Sequence, residues 1–168
     1  TGAVGFTGAV DLDSTGTLTI SGGAGTGDNI TFSSTVNDTS SNSTLALDAG
    51  ALGTITASGA VGGTSSLSGL TVTQSAGATF SGAVTGTTVT LTDTTGTIQF
   101  DGALTAATLN TAVQDYALSL LGGGTITNAV TMSNAGAITI GNDTGDTTMF
   151  TGGLTATAPS AISIAGTI

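Results

Sequence analysis

A seven-residue motif recurs along the chain, and it constrains the fold more than any other feature of the sequence. It reads apolar, spacer, apolar, spacer, two small residues, then Val or Leu, and its clearest copy is residues 78–84 (ATFSGAV). Successive copies begin 26, 25, 23, 20, 26 and 24 residues apart. The second apolar position contains all five phenylalanines, the full set being Phe6, Phe32, Ala57, Phe80, Phe100, Ile126 and Phe150. A period of about 24 residues indicates a repeat protein.

The residue types within each period favour β-strands. Strong helix formers such as Glu, Lys and Arg are absent, while β-branched Thr, Val and Ile are abundant. Apolar residues alternate with a period of two, as in Ile98 and Phe100, which is typical of strands with one buried face. A second motif, apolar–small–apolar, also occurs once per period and usually leads into Gly, Asp or Asn turn residues. Its copies are residues 18–20, 45–47, 70–72, 89–91, 118–120, 138–140 and 162–164.

A single period cannot bury its own apolar face. Its large apolar side chains contribute about 1.5–3 kcal/mol each on burial, whereas ordering the backbone costs about 1–2 kcal/mol per residue. Stacked periods cover one another and extend each other's hydrogen-bond ladders. The sequence therefore predicts an all-β fold, a parallel β-helix (β-solenoid) of about seven coils with about 24 residues each. It forms one repeat domain over residues 1–168.

Stacking predicts how equivalent positions are arranged. Successive coils lie about 4.8 Å apart, so the phenylalanine position should form one column inside the solenoid. The position two residues later is Gly in five of the seven copies, which predicts a corner where a side chain would crowd the core. Residues 106–121 are the one stretch compatible with a short helix.

The charge of the chain excludes several functions. Ten Asp residues give a net charge of −10, and Lys, Arg, His and Cys are absent. Without cations the chain cannot neutralise nucleic-acid phosphates or bind anionic membrane surfaces. Nucleophilic triads and His or Cys metal sites are also excluded, and no apolar run approaches the ~18 residues of a membrane helix. We expect no enzymatic activity, no required cofactor, no nucleic-acid partner and no transmembrane segment.

Carboxylates are the only ionisable groups left for chemistry. The pairs Asp11/Asp13 and Asp143/Asp146 are better explained as turn residues that bond their own backbone than as catalytic pairs. Calcium is the more plausible ligand: residues 11–16 (DLDSTG) begin like a calcium loop but lack its distal Glu. Two further acidic turns are residues 22–28 and 141–146. The candidate calcium ligands are Asp11, Asp13, Asp28, Asp143 and Asp146.

Threonine pairs of the form Thr-x-Thr suggest ice binding as an alternative. An ice-binding face needs these pairs in one register on one sheet. Measured from the phenylalanine position of their own period, the pairs fall at different offsets. Solvent-facing β-branched residues explain them as well.

Both ends of the chain interrupt a motif. Residues 166–168 match the start of the copy at 124–126, and residues 1–4 match its continuation at 127–130. Open solenoid ends are sheet edges that natural proteins cover or blunt. We therefore expect head-to-tail self-association or covalent tandem copies, with Ile168 of one copy against residues 1–4 of the next, and cations as further partners of the acidic surface.

The sequence also resembles a known family. Residues 28–50 (DNITFSSTVNDTSSNSTLALDAG) and 53–73 (GTITASGAVGGTSSLSGLTVT) resemble the tandem β-strand repeats of giant bacterial surface proteins, the filamentous-haemagglutinin-like and autotransporter-like adhesins. The resemblance covers the whole chain and implies a right-handed parallel β-helix exported to the bacterial cell surface. It supplies no active-site residues. We therefore expect a structural subunit or segment of an extracellular filament, with an adhesin segment that binds a surface or glycan through its turns as the alternative.

Overall fold

A computed structural model describes residues 2–40 and 42–168, and the regular structure in those ranges is entirely β-strand. The all-β prediction is confirmed. Among the described residues there is no helix long and apolar enough to cross a bilayer. The strands are β1 (Val4–Phe6), β2 (Val10–Leu12), β3 (Thr17–Ser21), β4 (Ile30–Phe32), β5 (Val36–Asp38), β6 (Thr44–Asp48), β7 (Thr54–Ala57), β8 (Leu67–Ser75), β9 (Gly77–Phe80), β10 (Val84–Thr94), β11 (Thr97–Phe100), β12 (Leu104–Thr111), β13 (Ala117–Leu120), β14 (Gly124–Ile126), β15 (Val130–Thr131), β16 (Ile138–Ile140), β17 (Thr148–Phe150), β18 (Leu154–Thr155) and β19 (Ile162–Ile164).

The strands form parallel ladders that run through the coils. One sheet has eight strands in the order β1-β4-β7-β9-β11-β13-β16-β19, and a second has seven in the order β17-β14-β12-β10-β8-β6-β3. Two further ladders, β2-β5 and β15-β18, have two strands each. Val61 bridges Val36 to Val84. The chain is a parallel β-solenoid of about seven turns, with about 23 residues per turn. The right-handed winding implied by the family resemblance stays a prediction.

The phenylalanine column is confirmed for its first five members. Phe6, Phe32, Ala57, Phe80 and Phe100 are successive partners in the eight-stranded sheet. Two ring pairs stack within this column. The centroids of Phe6 and Phe32 lie 5.1 Å apart with planes 7° from parallel, and those of Phe80 and Phe100 lie 4.9 Å apart at 10°. Such stacked pairs contribute about 0.5–1.5 kcal/mol beyond the burial of their area.

The prediction is wrong for the last two members of the column. The column continues from Phe100 to Leu120 and then through β16 to β19. Ile126 and Phe150 instead lie in the seven-stranded sheet, in register with Ala106. The reason is the length of the coils: along the eight-stranded sheet the steps are 26, 25, 23, 20, 20, 20 and 24 residues. The 26-residue step from Phe100 to Ile126 is therefore one coil plus six residues, which carries the motif onto the other sheet.

The predicted corner is confirmed as far as Gly102, whereas Gly152 follows β17 in the seven-stranded sheet and packs on Asn128 and Ala129. Gly59, Gly82 and Gly102 each lie at a bend, and a Cβ added to any of them would come closer than 3.0 Å to backbone atoms of the preceding coil. The column continues at Gly122, which packs in the same way on Gly102. Asn128, the expected member, follows β14 in the seven-stranded sheet and lies at a separate bend.

Residues 106–121 contain no helix, so that suggestion is wrong. The segment consists of the last six residues of β12, a turn and β13. Tyr116 in the turn is fully buried, and its hydroxyl donates to the carbonyl oxygen of Leu91 at 3.2 Å. Burial raises the pKa of Tyr116 to about 12. Val113 is 81% exposed, so only part of the apolar pattern in this segment contributes to the core.

Candidate functional site

The two ends of the solenoid expose side chains of the kind that the middle coils bury. We call β1, β2 and β3 the N-terminal edge, and β17, β18 and β19 the C-terminal edge. Ile164 is 49% exposed, whereas its column neighbour Ile140 is 1% exposed. Leu18 at the N-terminal edge is 41% exposed, whereas its partner Leu45 is 1% exposed. The same apolar columns that form the core therefore reach the surface at both edges.

The backbone of the edge strands is also paired on one side only. β1 and β19 are the outer strands of the eight-stranded sheet, and β3 and β17 are those of the seven-stranded sheet, among the residues that the structure describes. Natural proteins protect such edges with charges, prolines or bulges, but β19 (ISI) and β1 (VGF) contain no charge or proline. Thr1 lies outside the described residues, and the predicted contact between Ile168 and residues 1–4 of another copy stays a prediction.

The carboxylates of Asp143 and Asp146 bond the backbone of their own turn. Oδ2 of Asp146 accepts hydrogen bonds from the backbone N–H of Asn142 at 2.8 Å and of Asp143 at 3.1 Å. Oδ1 of Asp143 accepts from the N–H of Gly145 at 2.7 Å. These are the contacts expected of turn residues, and they engage one oxygen of each carboxylate.

The other candidate ligands lie in the first coils. Oδ2 of Asp28 accepts from the N–H of Gly25 at 2.9 Å. Oδ1 of Asp11 is 3.4 Å from Nδ2 of Asn37, which donates to it from the next coil. Asp13 follows β2 and is exposed.

The five candidate ligands are not brought together as one site. The β2 ladder that contains Asp11 lies at the N-terminal edge, whereas the turn of Asp143 and Asp146 precedes β17 at the opposite edge. No group of three or more acidic, His or Cys side chains that could hold a metal occurs within residues 2–40 and 42–168. Calcium binding stays a prediction.

A buried carboxylate that the sequence does not single out lies at Asp38. Asp38 is fully buried at the end of β5. It accepts hydrogen bonds from the N–H groups of Ser43 at 2.7 Å and Ser40 at 2.9 Å. The hydroxyls of both serines lie within 3.0 Å of Asp38 and also face the carbonyl oxygen of Ser14. Each hydroxyl has one proton and serves one acceptor at a time, so this cluster ties the second coil to the first.

The surroundings of Asp38 favour its charged form. Burial is the largest influence and would raise its pKa, but the hydrogen bonds from Ser43 and Ser40 together outweigh burial and lower the pKa of the carboxyl. No cation is needed to stabilise the charge here. The signal in the sequence is the spacing of Ser at two and five residues after Asp, which lets a turn fold back on the carboxylate.

One groove of about 330 Å³ lies beside the ends of β3, β6 and β8, which is near the lower limit for a small-molecule site. Asp48 and Gln74 line it from neighbouring positions of the ladder. Oδ1 of Asp48 accepts from the N–H of Gly50 at 3.0 Å, and Nε2 of Gln74 donates to Asp93 at 3.1 Å. The groove offers hydrogen-bonding groups and one carboxylate, without an aromatic platform.

The threonine pairs share one register in part. Thr17 and Thr88 lie in one column on the outer face of the seven-stranded sheet, and Thr19 and Thr90 lie in the next. Other pairs lie elsewhere, such as Thr54 with Thr56 in the eight-stranded sheet. The two columns are interrupted by Ala46, Gly69 and Asn110. The array is incomplete, and ice binding stays an untested alternative.

Comparison of the chain with models of known protein families, with curated proteins and with solved structures found no match.

Proposed function

We propose that this chain is a structural, non-enzymatic segment of an extracellular bacterial filament or surface fibre that assembles by stacking coils end to end. The supporting observation is the exposure of core columns at both edges, where Ile164 and Leu18 are half uncovered. A further coil would bury them and pair the open ladders, as every middle coil does for its neighbours.

Stacking would contribute a substantial stabilising free energy at each interface between two copies. Full burial of an Ile or Leu side chain gives about 1.5–3 kcal/mol, so covering a half-exposed one gives about 1 kcal/mol. Several such side chains lie at the C-terminal end, including Ile162 at 45% and Ile168 at 55% exposure. The backbone groups of the edge strands gain partners at the same time.

The composition fits a location outside the cell. The chain has no Lys or Arg at which trypsin-like proteases cut, which suits an exposed fibre. The family resemblance implies export to the bacterial surface. We therefore place the fibre there, with a second copy of the chain as its main partner.

The test is assembly as a function of concentration. We expect the purified chain to form fibres of solenoid width in electron micrographs and to sediment as growing oligomers. Ile164→Asp places a charge in the exposed core column of β19 and should keep the chain monomeric. Val113→Asp is the matched control, because Val113 is also exposed but lies on a lateral turn.

Two outcomes would contradict the proposal. If the unmodified chain stays monomeric at high concentration, or if both variants assemble equally well, stacking through the edges is wrong. Circular dichroism of Ile164→Asp must show the same β-structure as the unmodified chain, since a misfolded variant would also fail to assemble.

The second candidate is an adhesin segment that binds a glycan through its turns. The groove beside Asp48 and Gln74 favours it, because hydroxyl-rich neutral sugars can use its carboxylate and amide. Saturable glycan binding by the monomeric Ile164→Asp variant, lost in Asp48→Ala, would favour this role over a purely structural one.

A further inference from the structure

In the folded chain residues 162–168 (ISIAGTI) follow the seven-residue motif except for the final Ile, and they occupy the same place in the coil as residues 4–10 (VGFTGAV). In the eight-stranded sheet Ile162 pairs with Ile138, and Val4 occupies the equivalent column position beside Ile30. Both copies bend at their Gly. β19 and β1 are thus two versions of one element, seven coils apart.

At the C-terminal edge, β19 adds a strand to the eight-stranded sheet only. Among the described residues no strand lies above β17 or β18, and only the bridge between Thr147 and Thr167 reaches that side. A second copy placed with its β1 directly on β19 would therefore leave a gap one strand deep above β17 and β18. Phe150 and Leu154, which are only partly buried there, would stay uncovered.

The gap closes if the second copy moves down by one coil. Its β3 and the part of β2 after Val10 then lie on β17 and β18, but its residues 4–10 would need the place beside β16 and Thr147 that residues 162–168 already fill. Because β1 and β19 carry the same motif, one can substitute for the other. Exchange of an equivalent element between copies is a low-cost route to assembly.

We propose that neighbouring copies join by strand exchange, in which β19 of one copy replaces β1 of the next and pairs with β4 there. Ile162 then lies beside Ile30 of the second copy, and Ile164 lies beside Phe32. This inference rests on the end-to-end assembly proposed above and specifies which strands meet at the interface between two copies. The β1 segment of the second copy is released.

Strand exchange replaces the backbone pairing of β1 with an equal pairing of β19, and it buries more apolar side chains. β1 pairs with β4 over three residues, and β19 offers three residues in the same register. What is gained is the contact of β2 and β3 with β17 and β18, which covers Phe150, Leu154 and Leu18. Direct stacking of β1 on β19 would gain only the single ladder between those two strands.

Cysteine cross-linking distinguishes the two joints, because the chain has no Cys of its own. Ser163 and Thr31 lie at the central positions of β19 and β4, which exchange makes neighbours. Adjacent strands are about 4.8 Å apart, within the roughly 4.4–6.8 Å that a disulfide spans. We expect Ser163→Cys with Thr31→Cys to give a ladder of covalent oligomers on a non-reducing gel.

Two matched pairs serve as controls for this result. Ser163→Cys with Gly5→Cys reports direct stacking, and Gly5 has open space for the added side chain. Ser163→Cys with Thr56→Cys reports neither joint, since Thr56 lies one coil further in. If the Gly5 pair gives the ladder and the Thr31 pair does not, strand exchange is wrong although end-to-end assembly holds. If fibres fail to form at all, both proposals fall.

Assembly kinetics give a second readout with opposite signs for the two joints. Under exchange, Phe6 must leave its stack on Phe32, so Phe6→Ala should speed fibre growth. Under direct stacking, Phe6 belongs to the docking strand, and Phe6→Ala should slow growth. Slower growth of Phe6→Ala, measured by light scattering at equal concentration, would overturn the exchange.

Discussion

At the scale of single residues, Asp38 sets an expected pH dependence of stability. Hydrogen bonds lower its pKa in the folded chain below the ordinary value of 3.8, so the unfolded chain takes up a proton first as the pH falls. The stabilisation is complete above pH 3.8 and is lost as the pH falls through the folded pKa. We expect the urea midpoint of unfolding to decline below about pH 3.8.

The variant Asp38→Asn tests this assignment. Its amide cannot accept from both serine N–H groups, and a buried unpaired polar group costs about 1–3 kcal/mol, so the variant should be less stable at pH 7. It should also lose part of the acid decline. Asp101→Asn is the matched control, because Asp101 is exposed at a corner and the contribution of Asp38 is untouched. An acid decline unchanged in Asp38→Asn would refute the role of the cluster.

At the scale of the coil, the glycine column at the corner leaves no room for side chains between successive coils. A Cβ on Gly102 would press on the backbone of Gly82, whereas a Cβ on Gly8 in the first coil would meet nothing within 4 Å. Neither glycine has a positive φ. Gly102→Ala should therefore cost about 1–3 kcal/mol through overpacking, while Gly8→Ala should change stability little. Equal urea midpoints for the two variants would show that the corner tolerates a side chain.

How well the sequence predicts which residues stack in one column depends on the number of residues in each turn. The motif places Phe6 through Phe100 correctly, because each copy enters the same sheet. Beyond Phe100 two coils of 20 residues follow, and apolar–small–apolar segments such as residues 118–120 fit either motif. Pattern alone cannot distinguish them, since both sheets need alternating apolar residues. The continuation of the column through Leu120 depends on how many residues each turn uses, which only the folded chain defines.

Burial of individual polar residues was also beyond the sequence. The serine spacing after Asp38 is a weak signal that gains its meaning only when the turn folds Ser40 and Ser43 back onto the carboxylate. The five predicted calcium ligands shared the acidic-turn pattern, yet the structure distributes them over opposite ends of the solenoid. Local pattern predicted the turns, whereas proximity between turns depends on which coil each one occupies.

At the scale of the whole molecule, the charge is of one sign. Ten Asp and no cationic side chain leave only repulsion among the side-chain charges. Salt shortens the range of this repulsion from about 30 Å at 0.01 M to about 10 Å at 0.1 M. We therefore expect the urea midpoint of the monomeric Ile164→Asp variant to rise with NaCl over this range. A midpoint that falls with salt would show that repulsion among the Asp side chains does not limit the stability of the fold.

Calcium can be separated from this general screening by comparing CaCl2 with MgCl2 at equal concentration. Both salts screen equally, but a ligand that binds the folded chain adds stability as RT ln(1 + [L]/Kd), about 2.7 kcal/mol at a hundredfold excess over Kd. If the acidic turns hold calcium, CaCl2 should raise the midpoint beyond MgCl2, and Asp146→Asn should remove part of the difference. Asp146 is the sharpest test because its Oδ2 already accepts two backbone hydrogen bonds, which a metal would have to replace or share. Equal midpoints in the two salts would leave screening as the whole effect and would end the calcium hypothesis for this solenoid.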